Sequence, residues 1–183
     1  MRAFIAIDLP EAIHAALNAA QERFRGASPD ARWTRPEGIH LTLKFLGQIT
    51  DAQLKQVVEA LEPIASFQPF PVEVNGFGFF PRTERPRVFW AGVVAPPALR
   101  ELAARVEDAM EKVGLAREDR SFAPHLTLAR FPVPRRQPAL EAAIARQDAT
   151  SLGRFDAAQF FLFESILSPH GAQYRKVRRF AGS

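Results

Sequence analysis

The sequence predicts an α+β protein with mainly antiparallel sheets and helices packed outside them. Strands of alternating polarity and helices of 3.6-residue period recur in two similar halves. Each half carries one copy of the tetrapeptide His-Leu-Thr-Leu, at residues 40–43 and 125–128, in a strand preceded by a helix-containing unit. The length, 183 residues, fits a single domain over 1–183 made of two lobes. A pseudo-twofold arrangement of those lobes, with the two motif strands facing across a cleft, would bring His40 and His125 together.

Taken in order, residues 3–8 alternate as a strand with Ala3, Ile5 and Ile7 on one face. Pro10 and Glu11 open a helix whose apolar line is Ile13, Leu17, Ala20 and Phe24, stopped by Gly26. A short strand at Trp33–Arg35 and a Pro36-Glu37-Gly38 turn lead to the first motif strand. Strict alternation puts Ile39, Leu41, Leu43 and Phe45 on its buried side and His40, Thr42 and Lys44 on the other. Gly47 ends that strand. Thr50 and Gln53 have the form of a capping box, and Leu54, Val57, Val58, Leu61 and Ile64 trace the next helix.

Pro69 and Pro71 break that helix before a strand near Val72–Val74. Gly76-Phe77-Gly78-Phe79-Phe80-Pro81 lacks the third glycine of a dinucleotide loop and reads as strand and turn. Arg82, Arg85 and Arg87 cluster in the following loop, and Val88–Val94 alternates as a strand. A helix from Pro97 to Val113 closes at Gly114, and Ser121–Pro124 leads into the second motif strand. A basic, proline-containing loop spans Pro132–Pro138, followed by a short helix at Ala139–Arg146. Phe155–Leu167 reads as one long strand, Ser168–Gly171 as a turn, and Tyr174–Phe180 as the last strand.

Composition narrows the function. No apolar run approaches the ~20 residues that cross a bilayer. The N-terminal segment turns acidic too soon for a signal peptide. With no cysteine there is no disulfide, thiolate nucleophile or zinc–cysteine site, and the cytoplasm is the expected location. A net charge of +4 favours a polyanionic partner without demonstrating one. One histidine per motif strand, with no carboxylate at ligand spacing, falls short of a metal set, so no cofactor is expected.

The chemistry rests on the histidines. His40 and Thr42 share a strand face, as do His125 and Thr127. An imidazole titrates near neutral pH, so one histidine takes a proton from a nucleophile while the other gives one to a leaving group. Such a pair suits in-line displacement at phosphorus, with the threonine hydroxyls and backbone amides holding the phosphoryl oxygens. A lone His-x-Thr strand is ordinarily a hydrogen-bonded or solvated pair, and threonine suits strands for steric reasons alone. The duplication turns that balance. Arg130 stands where the first copy has Phe45: a charge fit for phosphate or a salt bridge, against an aromatic fit for a base or for packing. Tyr174 opens a strand rich in Arg and Lys and suits either stacking on a base or an edge-strand role. His14 lies off the apolar line of its helix and reads as a surface residue; His170 sits in a turn; Lys44 reaches phosphate or solvent.

These residues resemble the 2H phosphoesterase superfamily, and within it the RNA 2′,3′-cyclic phosphodiesterases also known as 2′-5′ RNA ligases. The resemblance spans the chain: Arg2–Asp8, His40–Gly47, Pro86–Val93, Pro124–Arg130, Ser165–Leu167 and Gly171–Tyr174. It implies a bilobal 2H phosphoesterase fold with the motif strands lining a groove. It also implies metal-independent hydrolysis of a 2′,3′-cyclic phosphate RNA end to a 2′-phosphate. By position His40 would be the proton donor to the departing ribose 3′-oxygen and His125 the proton acceptor that activates water. Thr42, Thr127, Arg130, Phe45 and Tyr174 are the expected substrate contacts. Joining RNA ends through a 2′-5′ bond is the same chemistry reversed, a small cyclic nucleotide is a competing substrate, and a binding module of the same fold needs neither histidine to react. A monomer is expected.

Overall fold

The computed structural model describes residues 1–182. Nine strands form two antiparallel sheets. Strands β1 (Arg2–Ile7), β3 (Leu41–Gln48), β8 (Gln159–Ser168) and β9 (Gly171–Ala181) make one, in the order β3-β1-β8-β9. The other runs β2-β6-β5-β4-β7, from β2 (Arg32–Trp33), β6 (His125–Arg130), β5 (Val88–Val94), β4 (Phe70–Phe80) and β7 (Ser151–Ala157). Helices α1 (Glu11–Arg25), α2 (Asp51–Leu61), α3 (Pro97–Lys112) and α4 (Pro138–Ala145) pack against them. The expected α+β architecture with antiparallel sheets is the one observed.

The core follows from the predicted periodicities. Ile13, Leu17, Ala20 and Phe24 of α1 and Leu99, Leu102, Val106 and Met110 of α3 are all buried. Each fully buried side chain of this size contributes about 1.5–3 kcal/mol. Thr50 caps α2 as the sequence predicts: its hydroxyl accepts from the Gln53 amide at 3.1 Å, and the Gln53 side chain accepts from the Thr50 amide at 2.9 Å. The central strand β1 buries both faces. Ala3, Ile5 and Ile7 enter the main core, whereas Phe4 and Ala6 join Phe161 and Phe163 in a separate apolar cluster.

Three expectations change. The long strand over 155–167 is two strands in two different sheets: β7 pairs with β4, β8 pairs with β1 and β9, and the chain crosses at Ala158. No glycine or proline marks the crossing. Conversely, 72–74 and 76–80 belong to one strand, β4, which absorbs Gly76 (φ 80°) as an irregularity in its register with β5. Likewise β3 runs on through Gly47 (φ 71°) to Gln48.

Candidate active site

The two motif strands sit in different sheets and meet. β3 is the outer strand of its sheet. The short β2 pairs only with Arg130 and Ala129 of β6, so the His125 end of β6 is open on that side. The Cα traces of β3 and β6 approach within 8 Å. Thr42 and Phe45 of the first copy and His125 of the second line one cleft of about 830 Å³, together with Phe80 and Arg87. His40 lines a neighbouring cavity of about 1040 Å³ with Asp8, His14, Phe163 and Tyr174.

Both strands depart from simple alternation at the same place. Against β1, Lys44 pairs with Ile5 and Thr42 with Ala6, leaving Leu43 unpaired. Against β5, Ala129 pairs with Phe89 and Thr127 with Trp90, leaving Leu128 unpaired. A bulge of this kind puts two successive side chains on one side of the strand. Leu43 and Lys44 therefore both turn inward, as do Leu128 and Ala129, and the next residue returns to the cleft side. This corrects two expectations drawn from strict alternation. Phe45 is 61% exposed instead of buried, and Lys44 is 3% exposed, buried at the wall of the cleft instead of open to it.

Inside, the Lys44 ammonium donates to Glu107 of α3 at 2.8 Å and to the Ala116 carbonyl at 2.9 Å. The second bulge is held by its carbonyl: Leu128 O accepts from the Thr34 amide at 2.9 Å and from the Gln21 side chain at 3.0 Å.

Each imidazole is oriented by the backbone two residues upstream. His125 Nδ1 lies 2.7 Å from Ala123 O. A carbonyl only accepts, so Nδ1 carries the proton and Nε2 is left for chemistry. For His40 the Gly38 backbone plays the corresponding part.

Aromatic rings floor both positions. His40 packs on Phe163 (4.4 Å between centroids), Tyr174 (5.4 Å) and Phe4 (5.7 Å), and Tyr174 presses against Gly38, where a Cβ would meet its ring at 3.0 Å. His125 meets the edge of Phe80 at 4.8 Å, and Phe80 in turn packs on Trp90 at 5.3 Å. The Trp90 Nε1 is buried and unpartnered. The indole lies against Gly78, where a Cβ would collide with it.

The electrostatics differ between the two sides. Burial pushes the His40 pKa down to about 4 from 6.5, and His14 and Lys176 add to this while Asp8 and the Gly38 backbone oppose it. Burial also holds His125 below its usual range, against the Ala123 carbonyl and helped by the Arg130 charge. Arg130, exposed on the same face as its histidine, thus sits close enough to act on it. Asp8 is salt-bridged to Lys176 at 2.6 Å and lies 3.9 Å from His14, whose Nδ1 is 2.7 Å from Pro36 O.

Thr42, Phe45 and His125 line the cleft, while His40, just ahead of β3, and Tyr174 line the neighbouring cavity. Arg130 is exposed beside His125, and the half-buried Thr127, paired with Trp90, shares a strand face with His125. Sequence reasoning missed Asp8, His14 and Lys176, which come from three separate segments, and Phe4, Phe80 and Phe163, which no motif marks out. Among the described residues no group of three or more His, Cys, Asp or Glu has the arrangement of a metal site, and no helix is long and apolar enough to cross a membrane.

Known proteins share the sequence pattern and the fold. The profile of the LigT-like phosphoesterases matches residues 7–90 and 93–174. A curated RNA 2′,3′-cyclic phosphodiesterase of Archaeoglobus fulgidus is 34% identical over 180 residues, covering 98% of this chain and 99% of its own. One of Thermus thermophilus is 34% identical, covering 99% of this chain and 90% of its own. A crystal structure of a Thermus thermophilus protein superposes with a TM-score of 0.81 at 29% identity, over 99% of this chain and 97% of the other. That of E. coli LigT with 3′-AMP gives 0.81 at 24% identity, over 100% and 98%, a likeness of fold.

Proposed function

Because the chain belongs to the LigT-like phosphoesterase family, we propose that it hydrolyses the 2′,3′-cyclic phosphate at the end of an RNA to a 2′-phosphate, using His40 and His125 as an acid–base pair. The observation that carries this reading is the paired geometry: two copies of one strand, each with its imidazole, hydroxyl and bulge in the same order, facing from two sheets.

His125 takes the proton from water, and the water oxygen forms a bond to phosphorus. The bond from phosphorus to the ribose 3′-oxygen breaks, and His40 gives that oxygen its proton. Thr42 and Thr127 hold the phosphoryl oxygens as charge gathers on them. Arg130 supports the base role, since a cation beside His125 keeps it neutral and ready to accept. Asp8 supports the acid role, since a carboxylate near His40 favours its protonated form. In the ligand-free protein burial outweighs Asp8; an anionic phosphate arriving in the cleft acts in the same direction as Asp8 and raises the His40 pKa. Phe45 and Tyr174 offer ring faces for the terminal base. Every group invoked lies on one chain, so a monomer suffices, and none calls for a metal. The cysteine-free composition suits the cytoplasm.

The test is incubation of the protein, in EDTA, with an oligoribonucleotide ending in a 2′,3′-cyclic phosphate. The expected product is the 2′-phosphate end. A 3′-phosphate product, or activity abolished by EDTA and restored by a divalent ion, overturns the mechanism. Adding an RNA with a free 5′-hydroxyl end to the same reaction measures how much 2′-5′ joining competes with water.

A further inference from the structure

Beside His125 the cleft opens into a second cavity. This outer cavity, about 430 Å³, is lined by Pro81, Arg82, Arg85, Arg87 and Pro134, and Pro81 and Arg87 border both. Their common wall is the loop 81–87 between β4 and β5, closed where the Arg87 amide donates to Phe80 O at 2.7 Å. Phe80, at the foot of the loop, is the ring that packs edge-on against His125. The loop therefore begins where the candidate site ends.

The lining is one-sided in charge. Arg82 and Arg85 line the outer cavity, Arg100, Arg117 and Arg120 the inner, and Arg87 both, against the carboxylates Glu107 and Glu118. Glu107 is engaged by Lys44, and Arg117 is held by Asp108 and Glu111. Among the described residues Arg82, Arg85 and Arg120 have no carboxylate within 4.0 Å. Arg87 and Arg100 bond only main-chain carbonyls, of Pro132 at 3.1 Å and Phe122 at 2.6 Å, which leave their charge uncancelled. Five unneutralised guanidinium groups thus line two joined cavities in a chain whose whole net charge is +4. On the basic strand β9 most of the charge is cancelled: Arg175, Lys176 and Arg178 are each held by a carboxylate, and Arg179 bonds the Gln159 side chain.

A mononucleotide cyclic phosphate has one charged group, already placed between the histidines, and nothing to set against Arg82 and Arg85. An RNA strand carries a further phosphate at every step upstream of its end, and guanidinium forks match phosphate oxygens. We infer that the outer cavity carries the RNA backbone upstream of the cyclic end, so that the preferred substrate is a polynucleotide end over a free cyclic mononucleotide. This rests on the cyclic phosphodiesterase reading.

The experiment compares wild type with the double variant Arg82→Ala/Arg85→Ala, both changes lying on an exposed loop. Two quantities are read: the ratio of kcat/KM for a cyclic-ended oligoribonucleotide to that for 2′,3′-cyclic AMP, and the salt dependence of binding of the 2′-phosphate-ended oligoribonucleotide. The ratio is expected to fall about tenfold, and the slope of log K against log salt to become shallower by roughly 1.4, two single-strand phosphate contacts' worth. An unchanged ratio overturns the track, as does an equal loss on both substrates or an unchanged slope. If wild type hydrolyses neither substrate, the functional reading fails, and the binding slope still judges the track by itself.

Discussion

Leu43 and Leu128 occupy the same place in the two copies of the motif, and each stands unpaired in a bulge. The consequence reaches the residue two further on. Under plain alternation Phe45 and Arg130 would fall on the buried side of their strands. With the bulges, Phe45 is exposed in the cleft that His125 lines, and Arg130 is exposed beside His125. The two sides of the candidate site share one backbone device and differ in what it presents.

Phe45 is therefore expected to serve ligand binding and not packing. Phe45→Ala should change stability by no more than about 0.5 kcal/mol, the range of surface substitutions. It should weaken binding of a nucleotide end by about 1–3 kcal/mol, the worth of stacking one base. Urea unfolding and equilibrium binding measure the two numbers. A large stability loss with unchanged binding would return Phe45 to the core.

Lys44 has the opposite profile. Its ammonium is buried and paired with Glu107, so Lys44→Ala leaves a carboxylate without its partner and should cost about 3–5 kcal/mol. Lys44→Met, tested together with Glu107→Gln, should cost much less, since an apolar chain facing a neutral amide strands no charge. Equal costs for the single and the paired change in chemical denaturation would contradict this account.

Burial of His40 makes stability depend on pH. Its folded pKa of about 4 lies below the ordinary 6.5, so the unfolded chain binds the proton more readily. Stability from this group is whole above pH 6.5 and is lost as pH falls towards 4, by about 3 kcal/mol when the fall is complete. His40→Phe removes a titrating group from the same aromatic pocket and should flatten that part of the curve in urea unfolding between pH 7 and 4. By NMR, His40 in the free protein should remain neutral at pH 5, and inorganic phosphate should raise its pKa. A profile as steep in His40→Phe as in wild type would place the pH dependence elsewhere.

Much of this was legible in the chain, and the reasons for the remainder are physical. The duplicated tetrapeptide and the helical lines of α1 and α3 rest on local periodicity, and they survive folding intact. A bulge has no such trace: Leu43-Lys44 and Leu128-Ala129 are compatible with plain alternation, and only pairing with β1 and β5 shows the extra residue. Asp8, His14 and Lys176 meet beside His40 through tertiary packing, from a strand end, a helix and a distant strand. Asp8 follows a strand with nothing in its neighbours to mark it, yet its carboxylate meets Lys176 and lies near His14 and His40. The crossing at Ala158 lacks any turn residue to announce it.

The central claim is that His40 and His125 act as one unit. It is tested most directly by kcat/KM for the cyclic-ended RNA in His40→Ala, His125→Ala and the double variant, with folding checked by circular dichroism. Each single change should lower the rate by about 10²–10⁴-fold. The double variant should be scarcely slower than either, as for groups that work in one step. Wild-type activity in either single variant, or losses that simply multiply in the double, would contradict it.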